Sequence, residues 1–309
     1  MFVFFWDDLN FSTPFIKEPR MALVAFDLDN TLGFFYHIGI WADFFSVETI
    51  ENTFNRKINP GLRLTPSLRS KLRRAEDLYI KKLLKSPKIL KTVLRPNLGE
   101  FIKPLRGKAT VAIYSNTWNS FTPRIAKALI ESIYKCPGFF ECLIDATHPI
   151  RREDWKEKTD GQPAKSFKTL KTIFTDMCGV KGRIEPSDIL FVDDRYPRHK
   201  LYGEGVEYLK PTAFDPKLTS PERIEIFRLG LDVLQETGLM DDDEYLSSDI
   251  FFCKKYLTTT TTMRIKGIED LFRIVGKKIL LEGVDGEPFK DDTKEIRKCM
   301  REYLADFRP

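Results

Sequence analysis

The chain has 309 residues, 42% of them apolar and 25 of them Phe, which excludes a disordered chain and supplies a sizeable core. Its formal net charge of +5 is modest but unevenly placed: sixteen basic residues lie between Arg56 and Lys108 against only Glu76, Asp77 and Glu100, so the remainder is net acidic. The five cysteines contain no Cys-x-x-Cys pair, Asp7 and Asp8 break the apolar N-terminus, and no run approaches the ~18 apolar residues of a membrane span, so a zinc module, a signal peptide and a spanning helix are not expected and a reducing cytoplasmic or nuclear compartment is.

Taken in chain order, the first apolar run is Ala22 to Phe26, and it ends in Asp27. Further runs are Ala109 to Tyr114, ending in Ser115, then Cys142 to Ile144, Ile189 to Val192, ending in Asp193, and Val206 to Leu209. Short continuous apolar runs of this kind read as parallel strands buried on both faces. Helical patterns alternate with them. Thr65-Pro66 reads as an N-cap with proline at the first helical position, followed by Leu68, Leu72, Ala75 and Tyr79 at helical spacing. Pro123 is expected to open a second helix, with Ile125, Ala128, Leu129 and Ile133 as its apolar stripe, and Lys165 to Met177 a third, with Phe167, Leu170, Ile173, Phe174 and Met177.

This alternation predicts an α/β fold: a Rossmann-like parallel sheet with helices on both faces. Two segments stand outside it. One is a basic helical insert at about residues 43–94, too long for a plain crossover. The other is a mostly helical extension over 211–309, with helical patterns at Glu222 to Thr237, Ile268 to Ile274 and Thr293 to Phe307, the acidic run Asp241 to Glu244, and the threonines Thr258 to Thr262. The expected division is therefore a core over 1–210 and an extension over 211–309. The basic insert reads either as a solvated helical face or as a surface for an anionic partner.

Three of the strands end in polar side chains: Asp27 and Asp29; Ser115 and Asn116; Asp193 and Asp194. Ligands of open α/β sheets sit beyond the carboxyl ends of the strands. Carboxylates brought together there resist joint ionisation and call for a cation or a shared proton, and a magnesium ion supplies the former while also neutralising a phosphate. Phe26-Asp27-Leu28-Asp29-Asn30-Thr31, Val111-Ala-Ile-Tyr-Ser115-Asn-Thr and Ile189-Leu-Phe-Val-Asp193-Asp194, in that order, resemble the first, second and fourth motifs of the haloacid dehalogenase (HAD) superfamily of aspartate-nucleophile phosphatases.

The resemblance implies roles. Asp27 would attack phosphorus and become an aspartyl-phosphate, and Asp29 would serve as general acid and then general base. Ser115, with Thr31 and Asn116, would bind the phosphoryl group. Asp27, the backbone carbonyl of Asp29, Asp193 and Asp194 would hold Mg2+. A lysine offsetting the phosphoryl charge is expected at Lys165, with Lys168 and then Lys158 as alternatives. The aromatics Phe34, Phe35, Tyr36 and Trp41 follow the first motif, either as a flap or as core, and His37 reads as structural.

Arg95-Pro96-Asn97-Leu98-Gly99-Glu100-Phe101-Ile102 looks like a segment of the phosphatases that act on the RNA polymerase II C-terminal domain, which implies a phosphoserine or phosphothreonine protein as substrate. The basic insert leaves nucleic-acid ends or other anionic phosphoesters as alternatives. A scaffold that keeps the fold without catalysis is a third reading.

Overall fold

The structure, a computed structural model, describes residues 21–48, 50–51, 64–159, 161–195, 200–242, 279–280 and 289–307. Arg56, Lys57 and Arg63 of the basic segment, the threonines Thr258 to Thr262 and the expected helix Ile268 to Ile274 lie outside the described residues.

The main sheet contains β1 (Ala22–Phe26), β2 (Ala109–Tyr114), β3 (Cys142–Ile144), β6 (Ile189–Val192) and β7 (Glu207–Leu209) in the order β3-β2-β1-β6-β7. Every pairing in it is parallel, with Phe26 opposite both Ile113 and Val192. A minor antiparallel pair, β4 (Lys158–Thr159) and β5 (Gln162–Pro163), lies outside the main sheet. Strand periodicity sends alternate side chains to opposite faces. Ala22, Val24 and Phe26 enter one core, and Leu23 and Ala25 enter the other. The chain runs outward from β1 to β2 and β3, then returns to place β6 on the other side of β1. The switch point where such sheets open a crevice therefore falls between β1 and β6.

The larger core lies under α1 (Tyr36–Phe45), α2 (Pro66–Leu84), α3 (Pro87–Val93), α4 (Gly99–Leu105) and α5 (Phe121–Tyr134). Helix α2 begins as its sequence predicts. Thr65 Oγ1 accepts the Leu68 N–H at 3.2 Å, Pro66 occupies the first turn, and Leu68, Leu72, Ala75, Tyr79 and Leu83 are buried. The basic face of α2 is largely met by acids of this same chain: Arg69 pairs with Glu51, Arg73 with Glu48 and Glu76, Lys71 with Asp242 at 2.6 Å, and Lys82 with Glu236 at 2.7 Å. Four cations of this segment thus meet acids from elsewhere in the chain.

Two helices differ from their sequence patterns. α5 starts at Phe121, because Asn119 Oδ1 accepts the Phe121 N–H at 2.7 Å and caps the helix two residues early. Pro123 then sits in the first turn, where its missing N–H is harmless. Ala126 and Ile130 face the core, and Ile133 is 41% exposed. The third pattern is split into α6 (Phe167–Thr172) and a π-turn over Ile173–Met177. The wider turn rotates the chain after Phe174, and Met177 is exposed.

After α7 (Lys200–Gly203) and β7, the C-terminal segment contributes α8 (Ser220–Glu236) and α9 (Thr293–Ala305), and both return to the large core. The Tyr303 hydroxyl of α9 lies 2.8 Å from the carbonyls of Leu23 and Asp188, donating to one of them, and accepts the Leu23 N–H at 3.2 Å. Asp292, just before α9, accepts from Arg95 Nη2 at 2.7 Å, from the Thr212 N–H at 2.6 Å and from Asn97 Nδ2 at 2.7 Å. In α8, Gly230 lies against the buried indole of Trp41: a Cβ there would fall 2.0 Å from the ring.

Gly230→Ala separates helix propensity from packing. Alanine is favoured over glycine in an exposed helix by about 1 kcal/mol, whereas overpacking a core costs roughly 1–3 kcal/mol. The clash dominates at this distance, so the variant is expected to unfold at lower denaturant and temperature than the parent. An unchanged or raised midpoint would contradict the Trp41 contact.

Candidate active site

The parallel register brings the ends of β1, β2 and β6 to one edge of the sheet. The Asp27 N–H still donates to the Val192 carbonyl at 2.8 Å, and the Ser115 N–H to the Ile144 carbonyl at 2.9 Å, so each polar residue sits one step beyond its strand. The chain then turns sharply. Leu32 N–H donates to the Leu28 carbonyl at 3.0 Å and Asn30 N–H to the Gly33 carbonyl at 2.7 Å. Asn30 adopts a left-handed conformation at φ +63°, which asparagine tolerates better than most residues. Gly33 is required for close approach, since a Cβ there would lie 2.3 Å from the Val93 carbonyl oxygen. The Phe34 N–H donates to that same oxygen at 2.6 Å.

Within this edge, Lys165 Nζ lies 2.6 Å from Asp27 Oδ1 and 2.9 Å from Asp193 Oδ2, with all three residues buried. Thr31 Oγ1 donates to Asp194 Oδ1 at 3.0 Å and accepts the Asp194 N–H at 2.9 Å, which fixes the fourth carboxylate against the first loop. The Arg195 N–H donates to Asp193 Oδ1 at 2.9 Å. Of the alternative lysines, Lys168 is exposed, and the side chain of Lys158 lies outside the described positions.

One carboxylate oxygen from each of Asp27, Asp193 and Asp194 lies within 4.8 Å of the others. Three acids converging with oxygen donors only suit a hard divalent cation such as magnesium. The Asp29 side chain is not in that set and instead faces the aromatic loop that follows it.

Burial, then the neighbouring charges of Asp27 and Asp194, push the Asp29 carboxyl up to about 7. Burial, then Asp27 and Asp193, push Asp194 up to about 7 as well. Asp27 is raised by burial, with the Lys165 ammonium opposing that effect and Asp193 adding to it. For Lys165, burial acts against the charged form, but Asp193 and Asp27 outweigh it and raise its pKa. The cluster therefore holds more negative charge than one ammonium can balance.

Ser115 is 1% exposed; its Oγ accepts the Thr117 N–H at 3.1 Å, and Asn116 Oδ1 is buried beside it. Sequence reasoning missed the groups that hold Ser115 and Lys165 in place. Arg151, fully buried, donates from Nη1 to the Ser115 carbonyl at 2.7 Å and from Nη2 to the Ala164 carbonyl at 3.1 Å, and its Nε donates to Asp154 Oδ2 at 3.0 Å. Asp154 also accepts from the Tyr114 hydroxyl at 2.6 Å, and from Ser166 Oγ and Thr169 Oγ1, each at 2.8 Å. Arg151 and Asp154 sit in the charged run Arg151-Arg-Glu-Asp154-Trp-Lys, which reads as solvated and carries no sequence signal of burial. Arg95, another buried arginine, donates to the Thr212 carbonyl at 2.6 Å and approaches the Asn30 carbonyl at 3.4 Å, so it supports the first loop from behind.

No family model and no curated protein matches this chain. Among solved structures it is similar to a HAD-superfamily hydrolase, subfamily IA, variant 1, of Geobacter sulfurreducens PCA (14% identity, 64% of this chain and 90% of that one, TM-score 0.31). It is also similar to CbbY of Rhodobacter sphaeroides, solved in complex with phosphate (12% identity, 63% and 87%, TM-score 0.34), and to a HAD phosphatase of Thermococcus onnurineus (14% identity, 62% and 86%, TM-score 0.31). HAD-superfamily hydrolases thus stand among the solved structures that this chain resembles.

The raised carboxyls set a sign for metal binding. Below the ordinary aspartate value of 3.8, Asp29 and Asp194 are protonated in both the folded and the unfolded chain. From there up to about 7 the folded chain retains protons that the unfolded chain has released, so cation-free stability falls as pH rises across that window. A divalent cation binds the ionised acids and relieves this repulsion. Magnesium is therefore expected to raise the melting temperature more at pH 8 than at pH 5, and an equal shift at both would contradict a carboxylate site.

Proposed function

We propose that this chain is a phosphomonoester hydrolase of the HAD type, with Asp27 as nucleophile and Asp29 as general acid and base. The observation that carries the reading is the buried Lys165 ammonium, shared between Asp27 and Asp193 with Asp194 alongside. A lysine held between two carboxylates at a strand switch point marks a place where negative charge is concentrated and must be offset, and a phosphoryl group arriving there adds more of it.

In the first step an Asp27 carboxylate oxygen attacks phosphorus. The bond from phosphorus to the ester oxygen breaks, and Asp29 gives its proton to the departing alkoxide. In the second step Asp29 removes a proton from water, the hydroxide attacks phosphorus, and the bond to Asp27 breaks to release inorganic phosphate and restore the carboxylate. A carboxyl at about 7 suits both halves of this cycle, since it gives and takes a proton near neutrality. Asp27, Asp193, Asp194 and the Asp29 carbonyl would hold Mg2+, which when bound supplies positive charge to the phosphoryl oxygens and the nucleophile. Lys165 adds a fixed positive charge on the same oxygens, and Ser115, Thr31 and Asn116 contribute hydrogen-bonding groups to the phosphoryl pocket.

The test is release of phosphate from an aryl phosphate with and without magnesium. Asp27→Asn preserves shape while removing the nucleophile, and it is expected to reduce kcat by about 10³-fold or more. Absence of turnover in the parent across a broad panel of phosphoesters would favour a HAD-fold binding protein instead.

For the substrate, a phosphoserine or phosphothreonine on a protein was suggested by the segment beginning at Arg95. That arginine is 1% exposed and engaged with Asp292, Thr212 and Asn97, so it has a structural task that explains it without a substrate. The basic insert suggested nucleic-acid ends, but Arg69, Lys71, Arg73 and Lys82 are paired internally. A small phosphoester is the class these two observations favour. Raising salt from 50 to 200 mM is therefore expected to change kcat/KM by only about two- to threefold, whereas a nucleic-acid substrate with several phosphate contacts would lose orders of magnitude.

A further inference from the structure

A cavity of about 340 Å³ adjoins the proposed general acid and is lined by Asp29, Asn30, Phe34, Phe35, Tyr36, Gly39, Thr117, Thr122 and Asp215. Its position assigns it to the leaving group, because Asp29 is the residue that would protonate the departing oxygen. Its size matches the small end of ligand pockets, roughly 300–1,000 Å³.

The lining is selective in charge. Among the described residues it contains two carboxylates and three aromatic rings, and no lysine or arginine. Lys165 bears on Asp27, on the phosphoryl side, while Arg195 bears on both Asp27 and Asp29. Of the two wall carboxylates, Asp29 is committed to proton transfer. Asp215 is uncommitted: its Oδ1 is buried and has no hydrogen-bond partner among the described residues. A buried carboxylate oxygen left without a donor is costly unless something supplies one. Aromatic rings beside carboxylates form the environment that takes up organic ammonium groups.

We propose that this cavity selects the phosphate ester of a small amino alcohol, with its ammonium group held by Asp215 against the rings of Phe34 and Tyr36. Esters whose alcohol part bears a second anion are disfavoured, since the described lining residues set two carboxylates and no cation against that charge. This assignment rests on the phosphatase reading and narrows it to a substrate class. Asp215 enters as a specificity residue, because it would touch the substrate remote from the bonds that change.

The test compares kcat/KM for three esters of similar size: 2-aminoethyl phosphate, propyl phosphate and a phosphorylated hydroxy acid. In the parent the aminoethyl ester is expected to exceed the propyl ester by about tenfold or more, and the hydroxy-acid ester to be the poorest. Asp215→Asn, which keeps the shape of the side chain and removes its charge, should bring the ratio of aminoethyl to propyl ester close to one. Two results would overturn the proposal: no preference in the parent, or an Asn variant that lowers all three esters in parallel and leaves the ratio intact. An aryl phosphate run beside them separates the levels. Turnover of the aryl ester without the ammonium preference removes only the substrate assignment, whereas no turnover of any ester removes the phosphatase reading and this proposal with it.

Discussion

The organisation of this molecule depends on one electrostatic constraint. Asp27, Asp29, Asp193 and Asp194 converge at the edge of a sheet that is buried on both faces, and such a cluster is unfavourable unless cations meet it. Lys165 meets part of that charge, at 2.6 Å from Asp27 and 2.9 Å from Asp193. Burial, and then the neighbouring aspartates, keep the carboxyls of Asp29 and Asp194 raised. A site in this condition is prepared for a divalent ion and for an anionic group drawn to the same cations.

Holding four acids in register requires rigid support, and much of it comes from groups remote in sequence. Arg151 and Asp154 form a buried pair whose hydrogen bonds reach the Ser115 carbonyl, the Tyr114 hydroxyl and the Ser166 hydroxyl, so one pair orders both the end of β2 and the residue after Lys165. On the other side, Arg95 and Asp292 link the first loop to the start of α9. Breaking a buried ion pair of this kind typically costs about 3–5 kcal/mol, since the surviving charge is left uncompensated. Both pairs are positioned to make the geometry of the acids depend on distant parts of the chain.

The C-terminal helices and the basic insert are accounted for by the same core. α2 packs against α8, and the cations of α2 reach Asp232, Glu236 and Asp242 of the C-terminal segment. Trp41 of α1 fills the space left by Gly230, and Tyr303 closes backbone groups near the start of β1. These contacts give the two segments outside the α/β alternation a physical task in the fold.

Strand existence in the main sheet, its strand limits apart from the start of β7 at Glu207 where Val206 is expected, and the polar residues at the strand ends were legible in the sequence, because a buried parallel strand is a continuous apolar run and the residue after it must leave the core. Helix α2 was legible for a similar local reason, its cap and stripe lying within a few turns. Other features were set by tertiary contact alone. The early start of α5 depends on Asn119, which Asp43 of α1 holds in place, and the turn of the chain after Phe174 depends on a π-turn that periodicity does not encode. Arg151 and Asp154 look like solvated charges until folding surrounds them. The choice of Lys165 over its neighbours, the internal pairing of the basic helix and the cavity holding Asp215 likewise arise from distances between segments far apart in the chain. Local patterning determines which residues leave the core; only the packed chain decides which of them meet, because like charges and buried polar groups are settled by neighbours that no short window of sequence contains.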